Sequence, residues 1–315
     1  MKQFPRWLSR GVARLDYGLV LPLLARLPRW PARPLWLLRG CINYAMDWDW
    51  RTLSLGHGYV REATQHAMAQ LRLQAPEGSL PRRLTLRRFL CMSREEVEAV
   101  RLNRLDRKTI QARITGLEPL LKARDNQQGV VLLTAHFDSL YVGLAALAEA
   151  GLTVNLMATR LTDDAMVPPA ISRHFATKAV ALNRLLAPGR VMHFEDSLRV
   201  FVSALRRGEI VVIACDGPST SQDRSQPVDF LGARRLMASG PQFLAKAGHA
   251  PLALYTCQEG PSGHFTVEVT EPVTLDNGGL QQAYTALERH LLSHPWQWWA
   301  ADLYRTYVPA ETPSA

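Results

Sequence analysis

The N-terminal forty residues lack any long apolar run. Their longest uncharged stretch, Tyr17–Ala25, contains Pro22 and falls far short of the ~20 residues a membrane-crossing helix needs. Beyond it, Arg26, Arg29 and Arg33, with Pro28, Pro31 and Pro34, break up any longer apolar segment. With so short an apolar stretch and no evident small-residue cleavage site, the segment does not read as a secretory signal. Cysteine is also scarce. Cys41, Cys91, Cys215 and Cys257 share no short spacing, which argues against a disulfide framework or a zinc site and fits a reducing, cytosolic setting. His57, His66, His174, His193 and Glu195 are not spaced as metal ligands, so neither metal nor cofactor is expected. A Gly-x-Ser-x-Gly elbow, a glycine-rich nucleotide loop, internal repeats and low-complexity tracts are absent as well.

What is present is ordinary globular composition, 47% hydrophobic and 21% charged, in a chain of 315 residues. That length buries a full core as one large α/β domain or two smaller ones. The net charge of +9 is uneven: residues 1–40 carry eight Lys/Arg against Asp16 alone, and residues 82–124 carry twelve against five acids. Such a basic surface suits an anionic partner. In 1–40 the cations are interleaved with Phe4, Trp7, Tyr17, Trp30, Trp36 and many leucines, a pattern matched to the headgroup zone of an anionic membrane surface. The competing reading is a helical hairpin packed on the domain. Nucleic acid is not an expected partner, because no recognition motif or stacking platform is visible.

From residue 129 a β/α alternation sets in. Strands are expected at 129–135, 152–158, 209–215, 251–257 and 264–270, and helices at 138–150, 196–207 with Asp196 as cap, 241–248 and 279–293. A short helix is expected near Pro168-Pro169, and residues 94–123 read as helical with a break near Gly116. The expected fold is α/β, with a mixed, largely parallel sheet flanked by helices.

The apolar strand Val130–Leu133 runs into Thr134-Ala135-His136, just before a helix. Active-site groups gather at such carboxyl ends of strands, and an imidazole with a pKa of about 6.5 can serve as general base. A structural histidine is the plainer reading. Asp138 either orients His136 or, with Ser139, caps the helix. Arg160, Arg224, Arg234 and Arg235 can hold phosphate through the guanidinium fork or remain solvated loop charges. Asp216 before Gly217-Pro218 can orient an arginine or an acceptor, or simply form a turn. The Trp296, Trp298, Trp299 cluster reads as core before it reads as an acyl-chain wall.

In order and pattern the chain resembles the bacterial lipid A biosynthesis acyltransferases of the lauroyl/myristoyl group, within the glycerolipid acyltransferase superfamily. The similar segments are GLEPLLKARDNQQGVVLLTAHF (116–137), Thr159-Arg160, FVSALRRGEIVVIACDGP (201–218), VDFLGARRLMASGPQFLAKAGHAPLALY (228–255) and HPWQWWAADLYRTY (294–307). The resemblance implies a glycerolipid acyltransferase-like core at 116–310, preceded by interfacial helices in a basic, membrane-docking region at 1–115. It implies fatty acyl transfer from acyl carrier protein or acyl-CoA to a hydroxyl of a lipid or glycolipid, with His136 as base, at the cytoplasmic face of the bacterial inner membrane. It also implies Arg160, Asp216, Gly217, Arg234 and Arg235 as substrate-binding positions.

Two positions depart from the family pattern. The acid expected four residues beyond the histidine is Tyr141, which supplies no negative charge at neutral pH. That leaves Asp138 or Tyr141 in the orienting place. Gly217 stands where a glutamine is usual. The alternative these departures support is a degenerate member that binds lipid or acyl carrier without turnover.

Overall fold

The structure, a computed structural model, describes residues 3–74, 80–160, 164–219, 222–260 and 263–310. Helices α1 (Arg6–Leu15), α2 (Leu21–Arg26), α3 (Arg29–Met46), α4 (Trp50–Leu55), α5 (Val60–Gln74) and α6 (Pro81–Arg101) come first. Strands and helices then alternate: β1 (Ala112–Thr115), α7 (Leu117–Asp125), β2 (Val130–Thr134), α8 (Leu140–Glu149), β3 (Val154–Ala158), α9 (Pro169–Leu186), β4 (Val191–His193), α10 (Leu198–Arg206) and β5 (Ile210–Ala214). The chain continues with β6 (Ser225–Phe230), β7 (Ala233–Ala238), α11 (Gly240–Gly248), β8 (Leu252–Glu259), β9 (Phe265–Val269), α12 (Gly279–Ser293) and β10 (Val308–Pro309).

Seven strands form one sheet in the order β1-β9-β8-β2-β5-β3-β4. All its neighbours are parallel except β8 and β9. The residues of β2 are all buried, as expected of a central parallel strand covered on both faces. Side chains alternate between those faces. Val131 and Leu133 join α5, α10, α11 and α12 in one core, while Val130 and Leu132 join α7, α8 and α9 in another. At Gly143 in α8, a Cβ would stand 2.5 Å from Cys257 Cβ. Only glycine lets the helix approach β8 so closely.

Several sequence expectations need correction. Residues 102–116 do not continue the expected helix. The Ala112–Thr115 segment alternates half-buried and exposed residues and pairs with β9, a period of two that suits a strand. The break is enforced at Gly116, which has φ +74° and whose Cβ would stand 2.0 Å from the Val269 carbonyl oxygen. The helix at Pro168-Pro169 is long rather than short: α9 runs 18 residues with Pro169 at the start, where a missing N–H costs nothing. Ser197, not Asp196, caps α10 by accepting from the Arg199 N–H. The segment from Ser225 to Ala238 folds as an antiparallel hairpin that β10 extends into a small second sheet.

The N-terminal helices are held to one another, and through Arg51 to the C-terminal segment, by buried ion pairs as well as apolar contacts. Arg39 pairs with Asp16 at 2.6 Å and with Glu96 at 2.7 Å, Arg88 with Asp49 at 2.9 Å, and Arg51 with Asp302 at 2.7 Å. Their outer surface is different. Trp7 and Trp30 are 74% and 83% exposed, and Leu15, Leu19, Leu23, Leu35, Leu38, Ile42 and Met46 are exposed with them. Among the described residues, no helix is long and apolar enough to cross a membrane.

Candidate active site

Strand pairing brings together two residues 80 apart in sequence. β2 and β5 are parallel neighbours in a register that matches Thr134 with Ala214. The Cys215 N–H donates to the Thr134 carbonyl at 2.8 Å, so the chain two residues beyond each strand meets at the carboxyl edge of the sheet. There His136 Nδ1 lies 2.9 Å from Asp216 Oδ1, and the His136 backbone N–H donates to Asp216 Oδ2 at 2.9 Å.

The two residues have contrasting environments. Asp216 is fully buried, whereas the imidazole is 41% exposed. With Nδ1 turned to the carboxylate, Nε2 has no hydrogen-bond partner among the described residues. Burial disfavours the charged imidazolium, but the adjacent carboxylate outweighs it and holds the His136 pKa above its ordinary value. For Asp216, burial pushes the pKa up, yet the imidazolium charge and the hydrogen bonds from His136 and Trp298 hold it below the usual carboxylate range. A donor to a buried carboxylate favours the ionised form, and Trp298 Nε1 supplies one to Oδ2 at 2.8 Å.

The tryptophan-rich C-terminal segment clamps the turn that bears His136. The Trp299 N–H donates to the His136 carbonyl at 2.9 Å, and the Asp138 N–H donates to the Gln297 carbonyl at 2.9 Å. Trp299 meets the His136 ring edge-on at 5.6 Å. The Tyr307 hydroxyl donates to the Asp216 carbonyl at 2.9 Å. The turn is thus held from both sides while its imidazole stays reachable.

Asp138 neither caps α8 nor faces His136. Ser139 is the N-terminal flanking residue and makes no side-chain cap bond. Asp138 is fully buried with φ +39°. Its carboxylate pairs with Arg94 and accepts from Gln297 Nε2 at 2.8 Å and from the Glu259 N–H at 3.1 Å. It joins α6, β8 and the C-terminal segment beneath the turn. Tyr141 does not reach the imidazole either. Its hydroxyl accepts from Lys178 Nζ at 3.1 Å, and its ring packs on Trp299 at 5.9 Å. Burial pushes the phenol pKa up although Lys178 pulls it down, so Tyr141 stays neutral at physiological pH.

The other candidates are dispersed. Arg160, just past β3, pairs with Asp196 at 2.5 Å, and its N–H donates to Glu195. A Cβ at Gly217 would meet nothing within 4 Å, so sterics do not demand glycine there. Arg234 is exposed on β7. Arg235 is buried, donating to the Phe230 carbonyl at 2.9 Å and to the Tyr304 hydroxyl at 2.9 Å. Its guanidinium holds the hairpin turn against the C-terminal aromatics, so Arg235 is not the solvated loop charge that is the alternative to phosphate binding.

Sequence reasoning assigned no role to Arg94, Glu95, Lys178 or Gln297. Arg94 and Glu95 lie in a charged stretch of α6, where Glu95, Glu96 and Glu98 are all buried. Gln297 and Trp298 sit inside the quoted C-terminal segment, but nothing local tells which tryptophan faces a carboxylate. Among the described residues no cluster of His, Cys, Asp or Glu could hold a metal ion.

A half-exposed imidazole backed by a buried carboxylate, at the carboxyl edge of a largely parallel sheet, marks an α/β protein with a paired histidine and aspartate where active-site groups commonly gather. The chain belongs to the bacterial lipid A biosynthesis acyltransferase family, whose sequence pattern matches residues 76–299. Comparison with curated proteins gives no match. The family makes acyl transfer of the lipid A type the general activity.

Proposed function

We propose that this protein moves a fatty acyl group from an acyl carrier protein or coenzyme A thioester to a hydroxyl of a lipid or glycolipid at a membrane surface. The observation that carries this reading is the His136–Asp216 contact at 2.9 Å with the rest of the imidazole open to solvent. His136 Nε2 takes the proton of the acceptor hydroxyl as its oxygen attacks the thioester carbonyl carbon. The C–S bond then breaks, and the imidazolium returns the proton to the leaving thiolate. Asp216 fixes the tautomer and stabilises the imidazolium, as the acid of a catalytic triad does. Because Asp216 supplies the charge that Tyr141 lacks, turnover is favoured over binding alone.

The test is thiol release by purified protein from an acyl carrier protein or coenzyme A thioester, with membrane lipid extract present. His136→Ala should lose about 10²–10⁴-fold in rate, the usual worth of a positioned general base. It should remain folded, with a lowered melting temperature because buried Asp216 loses its imidazole partner. Release that ignores either His136 or the lipid extract would remove this reading.

The exposed apolar ridge of the N-terminal helices, flanked by exposed Arg6, Arg10 and Arg14, supports docking on the anionic cytoplasmic leaflet of the inner membrane. Each cation near such a surface contributes roughly 1 kcal/mol. Replacing all three arginines by glutamine should therefore weaken binding to phosphatidylglycerol vesicles about 100-fold, with little change on phosphatidylcholine vesicles. Equal binding of both proteins to phosphatidylglycerol would exclude this docking mode.

A further inference from the structure

A cavity of about 250 Å³ lies where the π-helical turn Asp16–Val20 meets α6 and α9. Its mouth carries exposed Asn103, Arg173 and Thr177, and its floor carries buried Tyr17 and His174 together with half-buried Lys178. The volume is below the ~300–1,000 Å³ typical of pockets that enclose a whole small ligand, so it suits a head group. Among the described residues no carboxylate lines the cavity, and the Arg173 guanidinium has no hydrogen-bond or ion-pair partner.

The acids around Lys178 do not cancel its charge. Glu96 is held by Arg39 at 2.7 Å and by the Tyr17 hydroxyl. Burial pushes Glu95 up to about 7, so it is only partly ionised near neutrality. His174 adds no charge, because burial, followed by Lys178 and Arg39, brings its pKa down to about 3. Arg173 and Lys178 are therefore the charged groups facing the cavity. A chain of ring contacts links the inner wall to His136. The Lys178 ammonium lies 4.4 Å from the Tyr141 ring centroid, Tyr141 packs on Trp299, and Trp299 packs on His136.

We propose that this cavity is a phosphate subsite, in which Arg173 at the mouth and Lys178 at the inner wall hold a phosphate group of a substrate. Guanidinium matches phosphate oxygens in a planar fork and ammonium adds a point charge, while the second amide N–H of Asn103, whose first donates to the Val100 carbonyl, supplies a neutral donor. The phosphate belongs either to the pantetheine-bearing donor or to the acceptor lipid. Only this naming of the source rests on the acyltransferase reading.

Calorimetric titration of the full-length protein tests the proposal with coenzyme A, dihexanoyl phosphatidic acid, inorganic phosphate and uncharged dihexanoylglycerol as probes. At least one organic phosphate should bind, and Arg173→Gln and Lys178→Met should each weaken it about tenfold without altering any binding of dihexanoylglycerol. Loss confined to coenzyme A assigns the donor as source, and loss confined to phosphatidic acid assigns the lipid. His136→Ala should bind like wild type, so a failed catalytic assignment leaves this result intact. Wild-type affinities in both cavity variants would overturn the subsite. So would binding of inorganic phosphate alone, or of no phosphate probe, to folded wild type.

Discussion

Asp216→Asn should lower acyl transfer by about 10⁴-fold, the loss typical when the acid of a triad becomes an amide. Shape is nearly conserved, so the loss is electronic. The amide offers an N–H toward Nδ1, which favours the tautomer with its proton on Nε2, and no charge remains to stabilise the imidazolium. The pH profile should move as well. In wild type the neutral base appears only above a pKa that Asp216 has raised from 6.5. In the variant, burial acts unopposed and the acid limb of the residual rate should shift to lower pH.

Stability linkage has the same origin. The contribution from the raised His136 pKa is fully present below 6.5 and is lost as pH rises through the folded value. The contribution from the depressed Asp216 pKa is present above 3.8 and is lost as pH falls through its folded value. Rate–pH profiles and chemical denaturation of the two proteins check these expectations. An unchanged rate in Asp216→Asn would remove Asp216 from the mechanism.

Asp138→Asn should act on stability instead. Asparagine tolerates the positive φ, so backbone strain is not introduced. The charge opposite Arg94 is lost, and breaking a buried ion pair by removing one partner costs about 3–5 kcal/mol. Glu259 still faces Arg94 at 3.2 Å, which places the expected cost near the lower end, about 3 kcal/mol. For a chain of this size that is roughly a 5 °C fall in Tm. Activity per folded molecule should change little, because Asp138 makes no contact with the imidazole. A rate loss of the size expected for Asp216→Asn, with Tm unchanged, would instead make Asp138 the orienting acid.

These two aspartates show where local sequence ceases to inform. Asp138 stands two residues from His136 in the chain and points away from it. Asp216 stands 80 residues away and carries its hydrogen bond. Proximity in sequence misleads here because the turn between β2 and α8 takes a positive φ at Asp138, which swings that carboxylate under the helix toward Arg94. Likewise, nothing in the spacing of the α6 glutamates reveals that Glu95, Glu96 and Glu98 are buried, or that Arg39 and Tyr17 hold Glu96.

Read alone, the sequence specified β2, β3, β5, β8 and β9 and the helices α8, α10, α11 and α12, whose apolar runs and glycine or proline boundaries are locally legible, but not β4, β6, β7 or β10. It determined a histidine on the turn after the strand Val130–Thr134, and the basic, tryptophan-bearing character of the first forty residues. The tertiary structure alone decided which carboxylate meets that histidine. β3 follows β2 in the chain, yet β5 is the strand that lies beside β2. That order follows from how helices on both faces pack over the whole sheet, and it puts Asp216 next to His136 and Trp298 behind them both.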